Sequence, residues 1–186
     1  MAWITKNSST ATPSRDAAHE GDYLTEAMRA DLRDRYLPRF ETTHAALLPA
    51  LHMIQHHYGW VPERAMLEIA RFLDLPPAEV IDTATFYEEY WLRPKGAHVI
   101  AVCRSIACEF CGQPEISEAC KVTLGVDVGE TTDDGSFTLI ELECLGSCGT
   151  APVALIDETL HENLTPEQVP GLIDQARANS GHPGGH

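Results

Sequence analysis

Hydrophobic positions in the first half of the chain recur at the spacing of amphipathic helices. The clearest stripe predicts a helix from about residue 42 to residue 58, capped by Gly59, with inward positions at Leu47, Leu51, Ile54 and Tyr58. Pro49 lies inside this range and is expected to kink the helix or to move its start later. Further stripes predict helices that begin after a Thr25 cap, at Pro62 and at Pro76–Pro77.

After residues 93–96, alternating β-branched and apolar residues replace the helical stripes. Strands are predicted at residues 97–103, 137–142 and 152–156. Helices are predicted at residues 115–124 and after Thr165, where Gln168 completes a capping box. A β-α-β-β-α order of this size predicts a thioredoxin-like α/β sandwich.

These patterns predict an α+β chain in which an N-terminal helical bundle precedes a thioredoxin-like α/β domain. The helical domain is placed at residues 23–93 and the thioredoxin-like domain at residues 94–178. Residues 1–22 are rich in Ser, Thr and Ala, and residues 179–186 in Gly, Pro and His. Both ends are therefore predicted to be disordered tails.

Charge and composition exclude several classes of function. The 186 residues include 13 Lys and Arg against 28 Asp and Glu, a formal charge of −15, which does not favour nucleic-acid binding. No apolar run approaches the roughly 18 residues of a membrane span, and no secretory signal opens the chain. A cytoplasmic location is therefore expected, where six cysteines indicate metal or redox chemistry rather than disulfides.

Four of the cysteines form two short pairs, Cys103 with Cys108 and Cys144 with Cys148, and each pair follows a predicted strand. A [2Fe–2S] cluster takes four thiolates that converge on one point, which two pairs from separate loops can supply. Gly146 allows a tight turn within the second pair and brings backbone N–H groups close to sulfur. We therefore predict a [2Fe–2S] cluster bound by Cys103, Cys108, Cys144 and Cys148.

A further cysteine, Cys111, leaves alternatives open. The plant-type ferredoxin spacing is matched by Cys103, Cys108 and Cys111 together with one later cysteine. A cluster bound in this way would leave either Cys144 or Cys148 without a role. Cys108 and Cys111 alone form a C-x-x-C pair, as in a thioredoxin-like dithiol oxidoreductase. Four thiolates can also bind structural zinc, although zinc sites favour shorter gaps than that of the first pair.

Other chemistry-bearing side chains are interpreted as structural. Cys120 lies inside a predicted helix and is expected to be a small buried apolar residue. His52 and His56 have a spacing that can bind metal, but no third ligand accompanies them, so surface or packing roles are predicted. Four aromatic residues lie close together in the sequence: Phe86, Tyr87, Tyr90 and Trp91. This cluster either fills a core or forms an exposed interface.

A longer motif carries a resemblance to a known family. Residues 134–152 read D-G-S-F-T, five residues, and then C-L-G-S-C-G-T-A-P. With the upstream Cys103 and Cys108, this segment resembles the 24 kDa-type subunit of NADH:quinone oxidoreductase, respiratory complex I. The resemblance extends over about residues 24–177.

The resemblance implies a helical N-terminal part and a thioredoxin-like [2Fe–2S] ferredoxin domain with the four paired cysteines as ligands. It implies an electron-transfer subunit that packs on a larger flavoprotein subunit, which binds FMN and NADH. The complex would lie at the inner membrane, with no direct membrane insertion of this chain. Hydride transfer would belong to the FMN of that partner, so no complete catalytic site is expected on this chain. Because no G-x-G-x-x-G follows a strand, the chain is not expected to bind NAD(H) by a Rossmann fold.

Two further points stay open at this stage. The same module resembles subunits of NAD-linked hydrogenases and NAD-dependent formate dehydrogenases, and the residues separate these enzymes poorly. The sequence also leaves open a homodimer of the isolated chain.

Overall fold

A computed structural model describes residues 19–178 of the chain. Contacts divide this range after Pro94 into two units, here named the helical unit (residues 19–94) and the sheet unit (residues 95–178). The predicted tails lie outside the described residues, apart from residues 19–22. In that short stretch the carbonyl groups of His19 and Gly21 accept hydrogen bonds from Arg64.

The helical unit is built from four α-helices: α1 (Glu26–Asp31), α2 (Leu47–Tyr58), α3 (Glu63–Leu73) and α4 (Pro77–Phe86). A π-helical turn at Leu32–Tyr36 extends α1, and a 3-10 turn at Thr43–Ala46 leads into α2. Their apolar stripes pack into one core whose largest fully buried side chains are Tyr90, Leu24, Leu32, Leu47, Leu51, Ile54, Ile69 and Leu73.

Capping residues determine where the helices of this unit begin and end. The Thr25 hydroxyl accepts the Met28 N–H at 3.3 Å, as predicted. Gly59 ends α2 in the left-handed conformation, with φ of 81°. Pro49 moves the start of α2 to Leu47, because proline is tolerated in the first turn of a helix. Pro62 is the N-cap of α3 rather than its first residue, so that prediction was wrong by one position.

The predicted aromatic cluster divides between two environments. Tyr90 joins the helical core and donates its hydroxyl to the Leu48 carbonyl at 3.2 Å, and its burial raises the pKa of Tyr90 to about 12. Trp91 is partly buried. Phe86 and Tyr87 are 72% and 43% exposed, and their rings meet edge to face at 5.1 Å. The cluster is therefore partly core and partly surface.

The sheet unit combines four strands with three helices. The strands are β1 (His98–Cys103), β2 (Phe137–Leu142), β3 (Ala154–Ile156) and β4 (Thr159–His161). The helices are α5 (Ile106–Phe110), α6 (Gln113–Leu124) and α7 (Val169–Ala178). Neither α5 nor β4 was expected from the sequence, whereas the bounds of β2 match the prediction.

The sheet has the strand order β2-β1-β3-β4. β1 is parallel to β2 and antiparallel to β3, and β3 forms an antiparallel hairpin with β4. Phe137, Leu139 and Ile100 face α6 and α7 in the core of this unit. Cys120 belongs to the same core, and its burial raises the pKa of its thiol to about 12. The prediction of a buried apolar cysteine is therefore confirmed.

A tight turn before β2 depends on Asp134. Its carboxylate accepts hydrogen bonds from the Thr132 hydroxyl and, at 2.9 Å, from the Ser136 N–H. These hydrogen bonds favour the charged form and lower the pKa of Asp134 to about 2. Asp134, the first residue of the motif at residues 134–152, thus has a structural role, because it orients the chain into β2.

The lowered pKa of Asp134 predicts a pH-dependent stability contribution. A depressed carboxyl pKa stabilises the fold above the unfolded value, and this contribution is lost as pH falls from about 4 towards about 2. We expect urea unfolding to show the wild type more stable than Asp134→Asn at pH 5, with the difference shrinking towards pH 2.5. A difference that is constant over this range would contradict the assignment.

Candidate metal centre

The parallel pairing of β1 and β2 brings the two cysteine loops to one edge of the sheet. Cys103 is the last residue of β1 and lies opposite Leu142, the last residue of β2. The Arg104 N–H donates to the Leu142 carbonyl at 2.7 Å, and the Cys103 thiol lies 3.7 Å from the Glu143 carbonyl oxygen. Since parallel strands end at the same edge, the loop that begins at Cys103 meets the loop that contains Cys144.

The first pair of cysteines is buried. Cys103 and Cys108 are each 1% exposed, and the short helix α5 returns the chain so that both pack against Val153. Leu145 and Ala151 cover the same cluster from the second loop. This arrangement keeps water away from the first two sulfur atoms.

The second pair of cysteines faces solvent. The sulfur atoms of Cys144 and Cys148 are 3.8 Å apart, and both side chains are exposed. Gly146 adopts φ of 79°, and its N–H donates to the Cys144 sulfur at 3.4 Å. A side chain at this position would be strained, so the glycine fixes the turn that pairs the two thiols.

Electrostatic interactions connect the two pairs. Burial alone would raise the pKa of Cys103, but hydrogen bonds from Ser105 and from the Leu145 backbone outweigh it and hold the pKa below its ordinary value. Burial and the hydrogen bond with Cys103 raise the pKa of Cys108. The hydrogen bond with Cys144 raises the pKa of Cys148, and the charge of Cys103 contributes in the same direction. Such mutual repulsion between thiolates is relieved when they bind a cation.

Three side-chain contacts that the sequence did not predict hold the second loop. The Glu162 carboxylate accepts hydrogen bonds from the hydroxyls of Ser147, at 2.6 Å, and of Thr150. These bonds lower the pKa of Glu162. Arg104 pairs with Glu143, which joins the residue after Cys103 to the residue before Cys144. No local pattern indicates these contacts, because each joins residues at least twelve positions apart.

The donor set fits a two-iron cluster. Within residues 19–178, no group of three or more His, Cys, Asp or Glu side chains surrounds a single metal position. A [2Fe–2S] cluster does not require such a group, because two thiolates serve each of its two irons. The cysteines lie in two pairs, and thiolate is the ligand type that selects iron–sulfur clusters.

The other side chains considered as metal ligands, Cys111, His52 and His56, are not part of either cysteine pair. Cys111 is exposed and follows the C-terminal end of α5, where its N–H donates to the Ala107 and Cys108 carbonyls. His52 and His56 both point to solvent on α2. The His52 ring also lies 5.0 Å from the Tyr90 ring, so both histidines have the environments expected of surface or packing residues.

Comparison with known proteins identifies the class of protein. The family described as "Thioredoxin-like [2Fe-2S] ferredoxin" matches residues 33–177, and the chain belongs to this family. The predicted α+β fold class and the [2Fe–2S] cofactor are thereby confirmed.

The relatives narrow the class further. The chain is 40% identical over 136 residues to the subunit of NADH-quinone oxidoreductase designated E in Salmonella typhimurium, covering 73% of this chain and 82% of the relative. It is 35% identical over 151 residues to the protein of the same name in Pseudomonas aeruginosa, covering 81% and 90%. The predicted function, an electron-transfer subunit of an oxidoreductase complex, is confirmed by these relationships.

A solved structure shares the fold. The NAD+-reducing [NiFe]-hydrogenase in the H2-reduced state matches with a TM-score of 0.61 and 24% identity. The match covers 72% of this chain and 22% of that hydrogenase chain. Across residues 19–178 of the present chain, no helix combines the length and the apolar character needed to cross a membrane.

Proposed function

We propose that Cys103, Cys108, Cys144 and Cys148 bind the [2Fe–2S] cluster, and that the chain carries electrons within NADH:quinone oxidoreductase. One observation carries the ligand assignment. Two cysteine loops leave the same end of two parallel strands, and the four cysteines lie in two pairs, one inside a buried cluster and one with its sulfur atoms 3.8 Å apart. When bound, the cluster supplies a one-electron acceptor and donor.

The protein residues supply position, shielding and hydrogen bonds. Val153, Leu145 and Ala151 exclude water from the buried pair, and the Gly146 N–H donates to sulfur. Hydrogen bonds to the sulfur atoms and limited solvent access are the means by which a protein sets a cluster potential. The exposed pair, Cys144 and Cys148, provides the side through which an electron can pass to another subunit.

The proposed partner is the flavoprotein subunit that binds FMN and NADH. The NADH-quinone oxidoreductase relatives at 35–40% identity support this assignment. The hydride chemistry would belong to the flavin of that partner. The chain has no G-x-G-x-x-G fingerprint after a strand, so it is not expected to bind NAD(H) by a Rossmann fold. The complex would be peripheral to the cytoplasmic side of the inner membrane, and this chain would not enter the bilayer. A homodimer of the isolated chain remains a separate proposal.

Co-expression with the flavoprotein subunit of the same organism tests this proposal. We expect the two chains to co-purify and NADH to generate the EPR signal of a reduced [2Fe–2S] cluster. Quinone is the expected terminal acceptor of the intact complex. Activity with hydrogen or formate instead would assign the chain to a hydrogenase or formate dehydrogenase, and failure to co-purify would contradict the partner assignment.

A further inference from the structure

We propose that the Ser105 hydroxyl donates a hydrogen bond to the sulfur atom of the ligand Cys103 and raises the reduction potential of the cluster. This inference rests on the ligand set of the proposed function. Ser105 lies between the ligands Cys103 and Cys108, on the short segment that connects β1 to α5. It is not itself a ligand, and its proposed role is to tune the site.

At its position in the chain, the Ser105 hydroxyl would ordinarily bond to the backbone of the helix that follows. Ser105 is the N-cap of α5, where a serine side chain commonly accepts a hydrogen bond from a backbone N–H of the first helical turn. In the described structure, the Ser105 side chain makes no such capping bond. Its oxygen lies instead 3.4 Å from the Cys103 sulfur. The hydroxyl is therefore directed towards the metal site rather than towards the helix.

The acceptor of this hydrogen bond is Cys103. The Ser105 hydroxyl has one proton to donate, and the Cys103 sulfur lies 3.4 Å from its oxygen. Cys103 is 1% exposed, so water does not compete for this sulfur atom.

The direction of the effect follows from charge. A ligating cysteine has lost its proton, so it can only accept, and the Ser105 hydroxyl must donate. Reduction adds one negative charge to the cluster and its sulfur ligands. A donor aimed at sulfur therefore stabilises the reduced state more than the oxidised state, and the reduction potential rises.

An EPR-monitored redox titration of the full-length chain with its cluster, using dithionite as reductant, tests this proposal. In Ser105→Ala we expect the equilibrium constant for reduction to fall about tenfold, which is about 59 mV for a one-electron couple. Ser105→Thr keeps a hydroxyl and should restore the wild-type midpoint. Thr123→Val is a matched control, because it removes a hydroxyl that donates to the Ala119 carbonyl on the exposed face of α6.

The experiment distinguishes failure of the Ser105 proposal from failure of the proposed function. An unchanged midpoint in Ser105→Ala would overturn the inference while leaving the ligand set intact, as would an equal shift in Ser105→Thr. A wild-type chain without any [2Fe–2S] signal would instead refute the proposed function. If Ser105→Ala does not assemble a cluster, Ser105→Gly provides the same comparison, because glycine is tolerated at an N-cap. Loss of the cluster in both variants would contradict a tuning role.

Discussion

Cys144→Ala and Cys148→Ala are each expected to abolish the visible absorbance and the EPR signal of the [2Fe–2S] cluster. Each substitution removes one of four thiolates, and a three-thiolate site leaves one iron with an open position exposed to water. Because this pair faces solvent, water would hydrolyse the incomplete cluster rather than be excluded from it. The measurement is iron and acid-labile sulfide per chain after anaerobic purification, with the expected content falling from about two of each to near zero.

Cys111→Ala is the matched control for this prediction. Cys111 is exposed like Cys144 and Cys148, and it also lies in the loop region of the sheet unit. It is not part of either pair, so the variant should keep its iron, sulfide and EPR signal. Loss of the cluster in Cys111→Ala, with retention in Cys144→Ala, would instead support the plant-type ligand spacing and refute the ligand set.

The same protein preparations also test the two alternative functions, a structural zinc site and a dithiol oxidoreductase. Stoichiometric zinc with no sulfide in the wild type would support a structural zinc site. Reduction of insulin disulfides by iron-free protein, dependent on Cys108 and Cys111, would support a dithiol oxidoreductase. We do not expect zinc, because the chain belongs to a [2Fe–2S] ferredoxin family. We do not expect insulin reduction, because Cys108 is buried with Cys103 rather than presented at the surface.

Gly96→Ala is expected to lower the free energy of unfolding of the sheet unit by about 3 kcal/mol, at the upper end of overpacking costs. A Cβ atom at position 96 would lie 2.6 Å from the carbonyl carbon of Phe137 and 2.9 Å from its Cα and N atoms. These are backbone atoms at the start of β2, so they cannot move aside as a flexible side chain could. The Gly96 N–H also donates to the buried Thr138 hydroxyl at 2.6 Å, and displacement would break this bond.

Gly171→Ala is the control for Gly96→Ala. Gly171 lies in α7 of the same unit, and no atom within 4 Å meets a Cβ at this position. Alanine in a helix is favoured over glycine, so this variant should gain about 0.5 kcal/mol or more. Native-state hydrogen exchange of the β1 and β2 amides reports on the stability of the sheet unit. Equal stability of the two variants would refute the predicted close approach.

Much of the fold was predictable because its signals are local. The Thr25 cap, the Gly59 end of α2 and the span of β2 depend on neighbouring residues. At Thr165, the backbone N–H donates to the Gln168 side chain at 2.8 Å, as the capping box requires. The helix after this cap begins with a 3-10 turn at Pro166–Gln168 before α7.

The features that were missed are short or depend on tertiary contacts. With five residues, α5 is too short to show a helical period, and β4 has only three residues. The four cysteines could be named as candidate ligands because their spacing and motif are explicit in the sequence. The contacts of Glu162 with Ser147 and Thr150 were not, because they depend on how the β3–β4 hairpin returns to the second cysteine loop.

The unequal burial of the two cysteine pairs has a consequence for where charge resides. If each pair holds one iron, the two metal ions experience different polarity, with protein around one and solvent beside the other. Water and polar surroundings stabilise added negative charge better than an apolar pocket does. The electron added on reduction would therefore reside mainly at the iron beside Cys144 and Cys148. Mössbauer spectra should then show one ferric and one ferrous ion rather than an averaged pair.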